Sequence, residues 1–595
     1  MKQCADRIAL QHLINAYHRE TGRGCVVFAD AQTTAQLRLS GALPILWLCL
    51  TPLNISLAAP LAYVSTVGAH RLADLPAAWI DHRWQYLKPA TLASSLLEDL
   101  SSLGGPDADS GQVLARWLRS RDTLAELLDY RAGDLDSLNR PEQSFIESEQ
   151  ALVVGHALHP TPKSREGFVG GDMLRFSPET RGQFRLHFWL VDPGSVLQGY
   201  AGTSGGAVTG DKLRAALLEG GWLDEVTLAL LTRHPDWQLV PFHPWQARFL
   251  MGQPLWRRLA DNGLAINLGE LGWTVTPTTS VRTLAGEAPW MFKPSLSVAI
   301  TNSVRVNKPR ECLRGQLSCQ LWQGPFGERL RREFPTLRAL NDPGWIALSV
   351  DGQIVEETIC ILRDNPFTQR QQITCMASLC QDHPLQSGSR LGRLLDTLVK
   401  RQDASPETVA LTWFERFLDV AVLPMFGVYA RYGMVFEAHQ QNTLIELEDC
   451  WPAQFWLRDN QGFYYIEEYA AEVLELIPEL AGAAESVGPE VFVQERFIYY
   501  FICNTVFGVV AALGASGYAT ELQLLERFQR FLQTYRAVSP RLIDTLLSAP
   551  DLPFKANLLT RLRDIDELQA PLEAQSVYVR VDNPLRCAQL EVASA

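Results

Sequence analysis

The stretch Gly155-His156-Ala157-Leu158-His159-Pro160-Thr161-Pro162-Lys163-Ser164-Arg165-Glu166-Gly167-Phe168 places two imidazoles, a lysine and an arginine in a segment that contains two prolines. Proline fixes φ and removes a backbone donor, so the segment predicts an ordered loop with its cations held in one geometry. Such a loop is suited to binding a phosphate or a carboxylate. From this tract alone, a solvated turn whose basic residues bind nothing remains an open alternative.

Length and composition indicate a large globular protein. The chain has 595 residues, of which 47% are hydrophobic and 20% are charged, so two to four domains with well-filled cores are expected. The formal net charge of -13 argues against non-specific binding to nucleic acid, and we expect no nucleic-acid partner. Any basic site for an anionic ligand must therefore be local.

Cysteine usage and the first residues of the chain predict a cytoplasmic protein. The 11 cysteines are scattered and form no CxxC pair, which is typical of free thiols in a reducing compartment. The N-terminal residues have the pattern of an amphipathic helix and not that of a signal peptide. The uncharged stretch 497–520 is long enough to cross a bilayer, but Asn504 and three glycines within it favour a buried core helix and no membrane partner.

Patterning along the chain predicts an α+β fold in three parts. Residues 1–150 begin with a helix followed by short strands, and residues 151–385 form a unit built on an antiparallel sheet. Residues 386–595 are mostly helical. Ser405 is the predicted N-cap of one of these helices. The same part contains a strand hairpin, for which the candidate strands are 434–436, 443–447 and 463–467.

The glycine-rich segment Gly202-Thr203-Ser204-Gly205-Gly206-Ala207-Val208-Thr209-Gly210-Asp211-Lys212 resembles a phosphate-binding P-loop only in part. A P-loop needs lysine directly after its last glycine and a Ser or Thr next, whereas here Asp211 precedes the lysine and Leu213 follows it. The segment is therefore predicted to be a surface loop.

A second set of cations is predicted to lie around one cleft. Arg282 follows Thr278-Thr279-Ser280-Val281, Lys293 lies in Phe292-Lys293-Pro294, and Arg305 ends Ile300-Thr301-Asn302-Ser303-Val304-Arg305. If residues 296–300 form a strand, these segments converge. Guanidinium groups bind oxyanions through two hydrogen bonds and lysine adds a point charge, so the set suits several phosphates together with a polycarboxylate.

A third set supplies hard oxygen ligands. Glu437, Asn442 and Asp459 are suited to a magnesium ion that bridges nucleotide phosphates, because Mg2+ takes few protein carboxylates and keeps phosphate oxygens and waters. His439, two residues from Glu437, is expected on the same side of a strand. A strand with a polar exposed face is the alternative explanation.

Five motifs in this order resemble the siderophore synthetases that act independently of nonribosomal peptide synthetases, the aerobactin-synthetase-like family. They are His156-Ala-Leu-His159-Pro-Thr-Pro-Lys163-Ser, Pro241-Phe-His243-Pro-Trp245-Gln246, Pro277-Thr-Thr-Ser280-Val-Arg282-Thr, Lys293 with Ile300-Thr301-Asn302-Ser-Val-Arg305, and His439-Gln-Gln441-Asn442. The resemblance implies a hand-like architecture: a thumb at 1–150, fingers with an antiparallel sheet at 151–385, and a helical palm at 386–595.

The resemblance also implies the chemistry. ATP and Mg2+ activate a carboxylic acid as an acyl-adenylate, pyrophosphate leaves, and an amine or alcohol then displaces AMP. It assigns the nucleotide and metal side of the site to His159, Lys163, Ser280, Arg282, Lys293, Glu437, Gln441, Asn442 and Asp459. It assigns the acid to Thr301, Arg305, His439 and Lys555, with His439 expected to be partly protonated beside the carboxylates. Arg282, Lys293, Arg305 and His439 are the predicted catalytic residues.

Several alternatives remain open from the sequence. The motif wording most resembles the citrate-activating members, while 2-oxoglutarate and citryl or succinyl monoamides are other acids used in the family. The nucleophile is not determined, and a homodimer is one of the possible assemblies. Outside the family, a phosphotransferase with the same Mg-ATP cleft would release ADP, and a non-catalytic scaffold would lack Lys293, Arg305 or His439, all of which are present.

Overall fold

The computed structural model describes residues 1–39, 41–104, 109–202, 209–367, 371–565 and 576–586. Within these ranges the fold is α+β, as predicted, and its sheets are mainly antiparallel. Residues 203–208 of the predicted loop at 202–212 lie outside the described residues. The end of this segment is helical and not a loop, because Thr209 begins the helix Thr209–Glu219.

The N-terminal part packs helices against a six-stranded antiparallel sheet. Its strands are Cys25–Phe28, Pro44–Leu50, Ile55–Tyr63, Arg71–Leu72, Ala77–Ile80 and Arg83–Gln85, and its main helices are Lys2–Thr21, Pro89–Gly104, Ser110–Tyr130 and Phe145–Gln150. Leu10, Leu13 and Trp117 lie in its core. Leu558 and Leu562, near the end of the chain, complete the same core, so this unit is not built from residues 1–150 alone.

The middle part contains the predicted antiparallel sheet. Eight of its nine strands follow the order Gln238–Phe242, Phe184–Val191, Ala265–Pro277, Leu284–Gly286, Trp290–Pro294, Cys360–Asp364, Gly344–Val350 and Gln353–Ile354, while Val196–Tyr200 pairs with Gly344–Val350. The predicted strand Leu296–Ile300 lies in a separate small sheet with Ser303–Arg305 and Arg165–Glu166. Helices cover these sheets, at Asp172–Phe176, Thr209–Glu219, Glu225–Arg233, Pro244–Met251, Pro254–Asp261, Pro309–Gln323 and Pro325–Glu333.

The C-terminal part is largely helical. Its helices include Met376–Cys380, Arg390–Gln402, Pro406–Phe417, Leu423–Tyr432, Ala471–Leu476, Glu521–Thr534, Pro540–Ser548 and Asn557–Leu562. Ser405 is the predicted N-cap, and its hydroxyl accepts a hydrogen bond from the Thr408 N–H at 3.1 Å. Leu317 and Trp322 pack into this core although they lie at 309–333, a range that the sequence assigned to the middle unit.

Strand pairing in this part corrects the predicted hairpin. Met434–Phe436 pairs with Phe463–Ile466, whereas Thr443–Glu448 pairs with Trp451–Leu457, a strand that the sequence reading missed. Residues 437–442 form a turn between two sheets and not part of a strand. The two-stranded sheet Asp551–Lys555 and Tyr578–Asp582 then carries Lys555 toward the same region.

Residues 497–515 of the apolar stretch 497–520 belong to a continuous helical segment, Glu490–Ala515. It is the one segment among the described residues that is long and apolar enough to cross a membrane, and 89% of its most apolar window is buried inside the protein. Its centre, Phe497–Val506, winds as a π-helix. π-Helical turns are uncommon and often occur at functional sites.

Candidate functional site

A cavity of about 250 Å3 brings the predicted residues together. Every predicted site residue lines it, and they come from the middle and C-terminal parts of the chain: His159, Lys163, Ser280, Arg282, Lys293, Thr301, Arg305, Glu437, His439, Gln441, Asn442, Asp459 and Lys555. The sequence therefore predicted correctly which segments converge, and we call this cavity the cleft.

The cleft is strongly basic within an acidic protein. Ten basic side chains line it, namely Lys163, Arg165, Arg282, Lys293, Arg305, Arg310, Arg314, Arg363, Arg458 and Lys555. The acidic side chains in its lining are Glu179, Glu311, Glu437 and Asp459. Since the whole chain carries a net charge of -13, this local excess of cations favours a polyanionic ligand.

Lys293 and Arg363 share one carboxylate. Lys293 Nζ lies 2.6 Å from Asp459 Oδ1, and Arg363 Nη2 lies 3.3 Å from the same oxygen. Arg363 also forms two hydrogen bonds with Asp342, at 2.6 and 2.9 Å. Burial alone would raise the pKa of Asp459, but the two cations hold that pKa far below its ordinary value. Asp459 is thus anionic and fixes both cations in place.

Arg282 is held by neutral oxygens. Its Nη1 donates to the Arg305 carbonyl at 3.0 Å and to Asn307 Oδ1 at 2.7 Å. Burial lowers the pKa of Arg282, yet a guanidinium starts so high that it remains charged. The adjacent turn is closed by the Thr283 N–H, which donates to Ser280 Oγ at 3.1 Å.

Three cleft residues have left-handed backbone conformations. Val281 has φ 68°, Thr301 has φ 55° and Asp459 has φ 75°. This region is unfavourable for β-branched side chains, and residues held there cost on the order of 1–3 kcal/mol each. Such strain persists only where the surrounding structure imposes it. Its concentration beside Ser280, Arg282 and Arg305 marks the cleft as a functional site.

The side of the cleft predicted to bind the acid contains Arg305 and Lys555. Arg305 Nη2 donates to the Ile300 carbonyl at 2.9 Å and to Thr301 Oγ1 at 2.7 Å. Lys555 Nζ lies 3.5 Å from the Tyr500 hydroxyl and 5.6 Å from the centroid of that ring.

His439 corrects the expectation of a cationic imidazole. Burial lowers the pKa of His439 well below its ordinary value, and neighbouring His156 and Lys555 lower it further. The rings of His156 and His439 lie 6.1 Å apart at a steep angle. The sequence reading placed carboxylates beside His439, whereas the side chains around it are mainly cationic or neutral. A neutral His439 offers hydrogen bonds and no charge.

The histidine- and lysine-rich tract is a rigid wall of the cleft and not an open cationic loop. Lys163 Nζ donates to Glu179 Oε1 and to the Leu152 carbonyl, each at 2.5 Å, and Arg165 Nη2 also reaches Glu179, at 2.6 Å. His159 Nε2 lies 2.8 Å from Asn302 Oδ1, and burial lowers the pKa of His159 to about 3. Lys163 and Arg165 therefore share the single carboxylate of Glu179, which offsets part of their combined charge.

Glu437 and Asn442 lie in the turn at 437–442. The Tyr464 hydroxyl donates to Glu437 Oε1 at 2.8 Å, and burial raises the pKa of Glu437 above its ordinary value. Asn442 Nδ2 donates to the Glu437 carbonyl at 3.2 Å. Gly462 is required here, because a Cβ at this position would come within 2.7 Å of Glu437 Cγ.

Sequence reasoning missed several cleft residues. The π-helical segment contributes Tyr499, Tyr500 and Asn504. The sequence could have indicated Arg363, because it is a charged residue that follows the apolar residues of the strand Cys360–Asp364. Arg458 directly precedes Asp459 in the sequence, and its Nη1 forms a buried ion pair with Glu149 at 2.9 Å.

One motif of the predicted five lies outside the cleft. His243 is the N-cap of the helix Pro244–Met251, where its Nδ1 accepts a hydrogen bond from the Trp245 N–H at 3.1 Å. Gln246 is fully buried, and its Oε1 accepts from the Ser297 N–H at 2.8 Å. The motif thus supports the strand Leu296–Ile300 from behind.

Comparison with known proteins decides the family. The IucA / IucC family model matches residues 144–381. The chain is 36% identical over 538 residues to the rhizobactin siderophore biosynthesis protein RhbC of Rhizobium meliloti, covering 89% of this chain and 90% of that protein. The chain belongs to the IucA / IucC family. A second relative, the spermidine-citrate ligase of Bacillus anthracis, is 32% identical over 599 residues and 98% of each chain.

Two further comparisons extend beyond residues 144–381. A model described as "Ferric iron reductase FhuF-like transporter" matches residues 411–570. The structure of ATP-bound aerobactin synthetase IucA from Klebsiella pneumoniae superposes with a TM-score of 0.86 at 28% identity, over 97% of this chain and 99% of that one. The resemblance inferred from five motifs is therefore confirmed over almost the whole chain.

Proposed function

We propose that this family member is an ATP-dependent ligase of siderophore biosynthesis that adenylates citrate and joins it to an amine or alcohol. The observation that carries the proposal is the cleft, where ten basic side chains converge from the middle and C-terminal parts of an acidic protein. ATP and citrate are both polyanions, so their mutual repulsion must be neutralised by fixed cations before they can react.

The two substrates divide the cleft. Ser280, Arg282 and Lys293 would hold the nucleotide phosphates, and Arg363 adds a cation that the sequence did not indicate. Stabilising the charge that builds on the α-phosphate and on pyrophosphate is the main catalytic task, and rigid cations accomplish it without reorganisation. Lys163 is tied to Glu179, which it shares with Arg165, and so it fixes the shape of this wall.

Citrate would lie against the other wall, with Thr301, Arg305, His439 and Lys555. Arg305 is already oriented by two acceptors, so its guanidinium would meet a carboxylate in a fixed geometry. Neutral His439 would donate or accept one hydrogen bond. No covalent protein nucleophile is required, because the adenylate is itself the activated acid.

The residues present fit a magnesium ion held mainly by phosphate. Among the described residues no cluster of three or more His, Cys, Asp or Glu side chains could hold a metal by protein ligands alone. Glu437 and Asp459, with Asn442, offer one or two carboxylates beside the phosphate wall, which is the number that Mg2+ takes when it bridges a nucleotide. The ion would neutralise phosphate charge and orient the phosphate groups.

The acceptor differs among relatives. The name of one relative specifies spermidine, which carries further ammonium groups, and that of another specifies N6-acetyl-N6-hydroxylysine, whose distal arm is acylated and neutral. For this chain the proposed acceptor is an amine or alcohol.

We also propose the hand-like arrangement of thumb, fingers and palm at 1–150, 151–385 and 386–595, and a cytoplasmic location where ATP is available. The superposition on aerobactin synthetase over 97% of the chain supports the first of these. A homodimer is the assembly that we propose to test by light scattering.

Pyrophosphate release tests the proposal. The purified protein is incubated with ATP and Mg2+ and a panel of citrate, 2-oxoglutarate, succinate and their monoamides, with a set of amines. Citrate-dependent release of AMP and pyrophosphate supports the proposed reaction. Release of ADP would show a phosphotransferase instead, and turnover of a monoamide without free citrate would refute the choice of acid.

A further inference from the structure

The N-terminal part of the chain supports the cleft without lining it. Among the described residues that line the cleft, none lies in 1–150. Two buried carboxylates of this part nonetheless contact segments that carry lining residues. Glu20 contacts the segment that follows Lys555, on the side predicted to bind the acid. Glu149 contacts Thr279, on the side predicted to bind phosphate.

Glu20 fixes the start of the helix Asn557–Leu562. Both of its carboxylate oxygens accept from the Leu558 N–H, at 3.0 Å each, and Oε2 also accepts from the Leu559 N–H at 2.9 Å. The N–H groups in the first turn of a helix have no partner within the helix, so a carboxylate there takes the place of water. Glu20 is 5% exposed, so these contacts are made inside the protein.

The same turn of the N-terminal helix holds the chain on the other side of Lys555. Arg19 lies over the ring of Phe554, which directly precedes Lys555, with the guanidinium carbon 4.7 Å from the ring centroid. Leu558 packs into the N-terminal core. The last turn of the helix Lys2–Thr21 therefore contacts the chain both before and after Lys555.

The start of the helix is also bonded to other residues of the cleft. Asn557 lines the cleft together with Lys555. Its Oδ1 accepts from Asn302 Nδ2 at 3.4 Å, and its Nδ2 donates to the Tyr499 hydroxyl at 3.2 Å. Asn302 directly follows Thr301, which the proposed function places beside the acid. A shift of the helix start would therefore displace Lys555 relative to the acid.

We propose that Glu20 is a positioning residue for the carboxylic acid: its buried carboxylate holds the start of the helix Asn557–Leu562 and thereby places Lys555 against the acid. Glu20 does not line the cleft, so it acts through Lys555 and not by touching a substrate. The inference rests on the proposed function and adds to it a residue from the N-terminal part.

The ionised form of Glu20 is the form suited to this role. Both oxygens of a carboxylate accept, and hydrogen bonds to an ionised acceptor are roughly twice as strong as those between neutral groups. Glu20→Gln keeps the shape but replaces one oxygen by an NH2 group, which cannot accept from a backbone N–H. Burial raises the pKa of Glu20 to about 7, so the assays are run at about pH 8, where the carboxylate is ionised.

The first test measures KM for both substrates in Glu20→Gln. Hydroxylamine captures the acyl-adenylate as a hydroxamate, so adenylation by ATP, Mg2+ and citrate is followed without the natural acceptor. We expect KM for citrate to rise about tenfold and KM for ATP to change less than about threefold, because the lost charge-assisted hydrogen bonds act on the acid side alone. Equal rises in the two KM values would overturn the inference.

Glu149→Gln is the matched control. Glu149 is fully buried, its Oε2 accepts from the Thr279 N–H at 2.8 Å, and its Oε1 accepts from Arg458 Nη1 at 2.9 Å. It is thus a similarly buried carboxylate of the N-terminal part, but it supports the phosphate side. We expect the reverse result, a larger rise in KM for ATP than for citrate. If both variants changed the two KM values in the same ratio, Glu20 would have only a general structural role and the inference would fail.

A double variant tests the route through Lys555. When Lys555→Met is already present, Glu20→Gln should raise KM for citrate by less than about threefold further, because residues that act through one another are not additive. A further rise of about tenfold would mean that the two residues act independently, and this would refute the positioning role.

Glu20→Asp serves if Glu20→Gln does not fold, since it keeps the charge on a shorter side chain. It should give the same selective rise in KM for citrate at smaller amplitude, and equal rises in both KM values would again count against the inference. If wild-type protein forms no hydroxamate with any acid of the panel, the proposed function itself fails, which is a different outcome.

Discussion

Replacing Lys293 with Met separates its role in the fold from its role in catalysis. Lys293 is 1% exposed and its Nζ lies 2.6 Å from Asp459 Oδ1, so the substitution removes one of two cations that neutralise a partly buried carboxylate. Removing one partner of a buried pair costs roughly 3–5 kcal/mol when the other charge is left bare. Asp459 keeps Arg363 at 3.3 Å and its side chain is 19% exposed, so we expect a smaller loss than this range, about 2–3 kcal/mol.

The expected loss is large enough to measure. At 2–4 °C per kcal/mol for a domain of about 150–250 residues, the thermal unfolding temperature should fall by about 4–12 °C. Adding Asp459→Asn removes the under-neutralised charge, so Lys293→Met/Asp459→Asn should recover most of that fall. Citrate-dependent pyrophosphate release should drop by about 100-fold in Lys293→Met, because a fixed cation facing phosphate contributes about 2.7–4 kcal/mol at the transition state.

The double variant decides between the two roles. If Lys293 binds phosphate, pyrophosphate release stays low in the double variant although the unfolding temperature recovers. Asp459→Asn alone measures the share of that loss that belongs to the carboxylate. Recovery of activity together with stability would refute the phosphate role, since it would mean that Lys293 matters only as a counter-ion for Asp459.

Four other substitutions and conditions give distinct expectations. Arg305→Ala should raise KM for citrate more than 10-fold with a smaller change for ATP, in line with about 1.5–3 kcal/mol for a charge-assisted bond, and equal changes would contradict a carboxylate role. Lys555→Met should weaken citrate more than a citryl monoamide in competition assays, because the lost Coulomb energy scales with ligand charge. Because burial lowers the pKa of His243 to about 3, the unfolded chain binds more protons below about pH 6.5. The unfolding temperature should therefore fall as pH drops from 6.5 toward 4, and fall less in His243→Asn. Gln246→Ala should cost about 1–3 kcal/mol of stability through the Ser297 N–H, with an unchanged preference among acids.

The sequence predicted correctly which segments converge to line the cleft. Short motifs with charged residues between apolar segments predicted Arg282, Lys293 and Arg305 around one space, and all three line it. The helix capped by Ser405 and the strand 296–300 were predicted from local sequence patterns, and both are present in the structure. These features succeed because capping, proline placement and alternating burial depend on neighbours in the sequence.

The predictions of ionisation and of strand pairing were wrong because these properties depend on residues that are distant in the sequence. The charge on Lys163 depends on Glu179, and the pKa of His439 depends on His156 and Lys555, which are distant in the sequence. The strand at 463–466 pairs with 434–436, and the hairpin 443–457 lies between them in the sequence. The local residue pattern does not specify which of these strands pair. Burial and long-range partners set these properties, so a list of residue types could not supply them.

The ion pairs around the cleft explain how so many cations can be held close together. Lys293 and Arg363 share Asp459, and Arg458 is neutralised by Glu149. Ligand binding requires little rearrangement of these ion pairs, because their geometry already exists before a ligand binds. A polyanion entering the cleft therefore meets oriented donors and not mobile side chains, which is the condition under which electrostatic stabilisation of a transition state is largest. The left-handed backbone at Val281 and Thr301 is consistent with this reasoning, since strain of this kind persists where the surrounding contacts fix the geometry and not where the chain can relax.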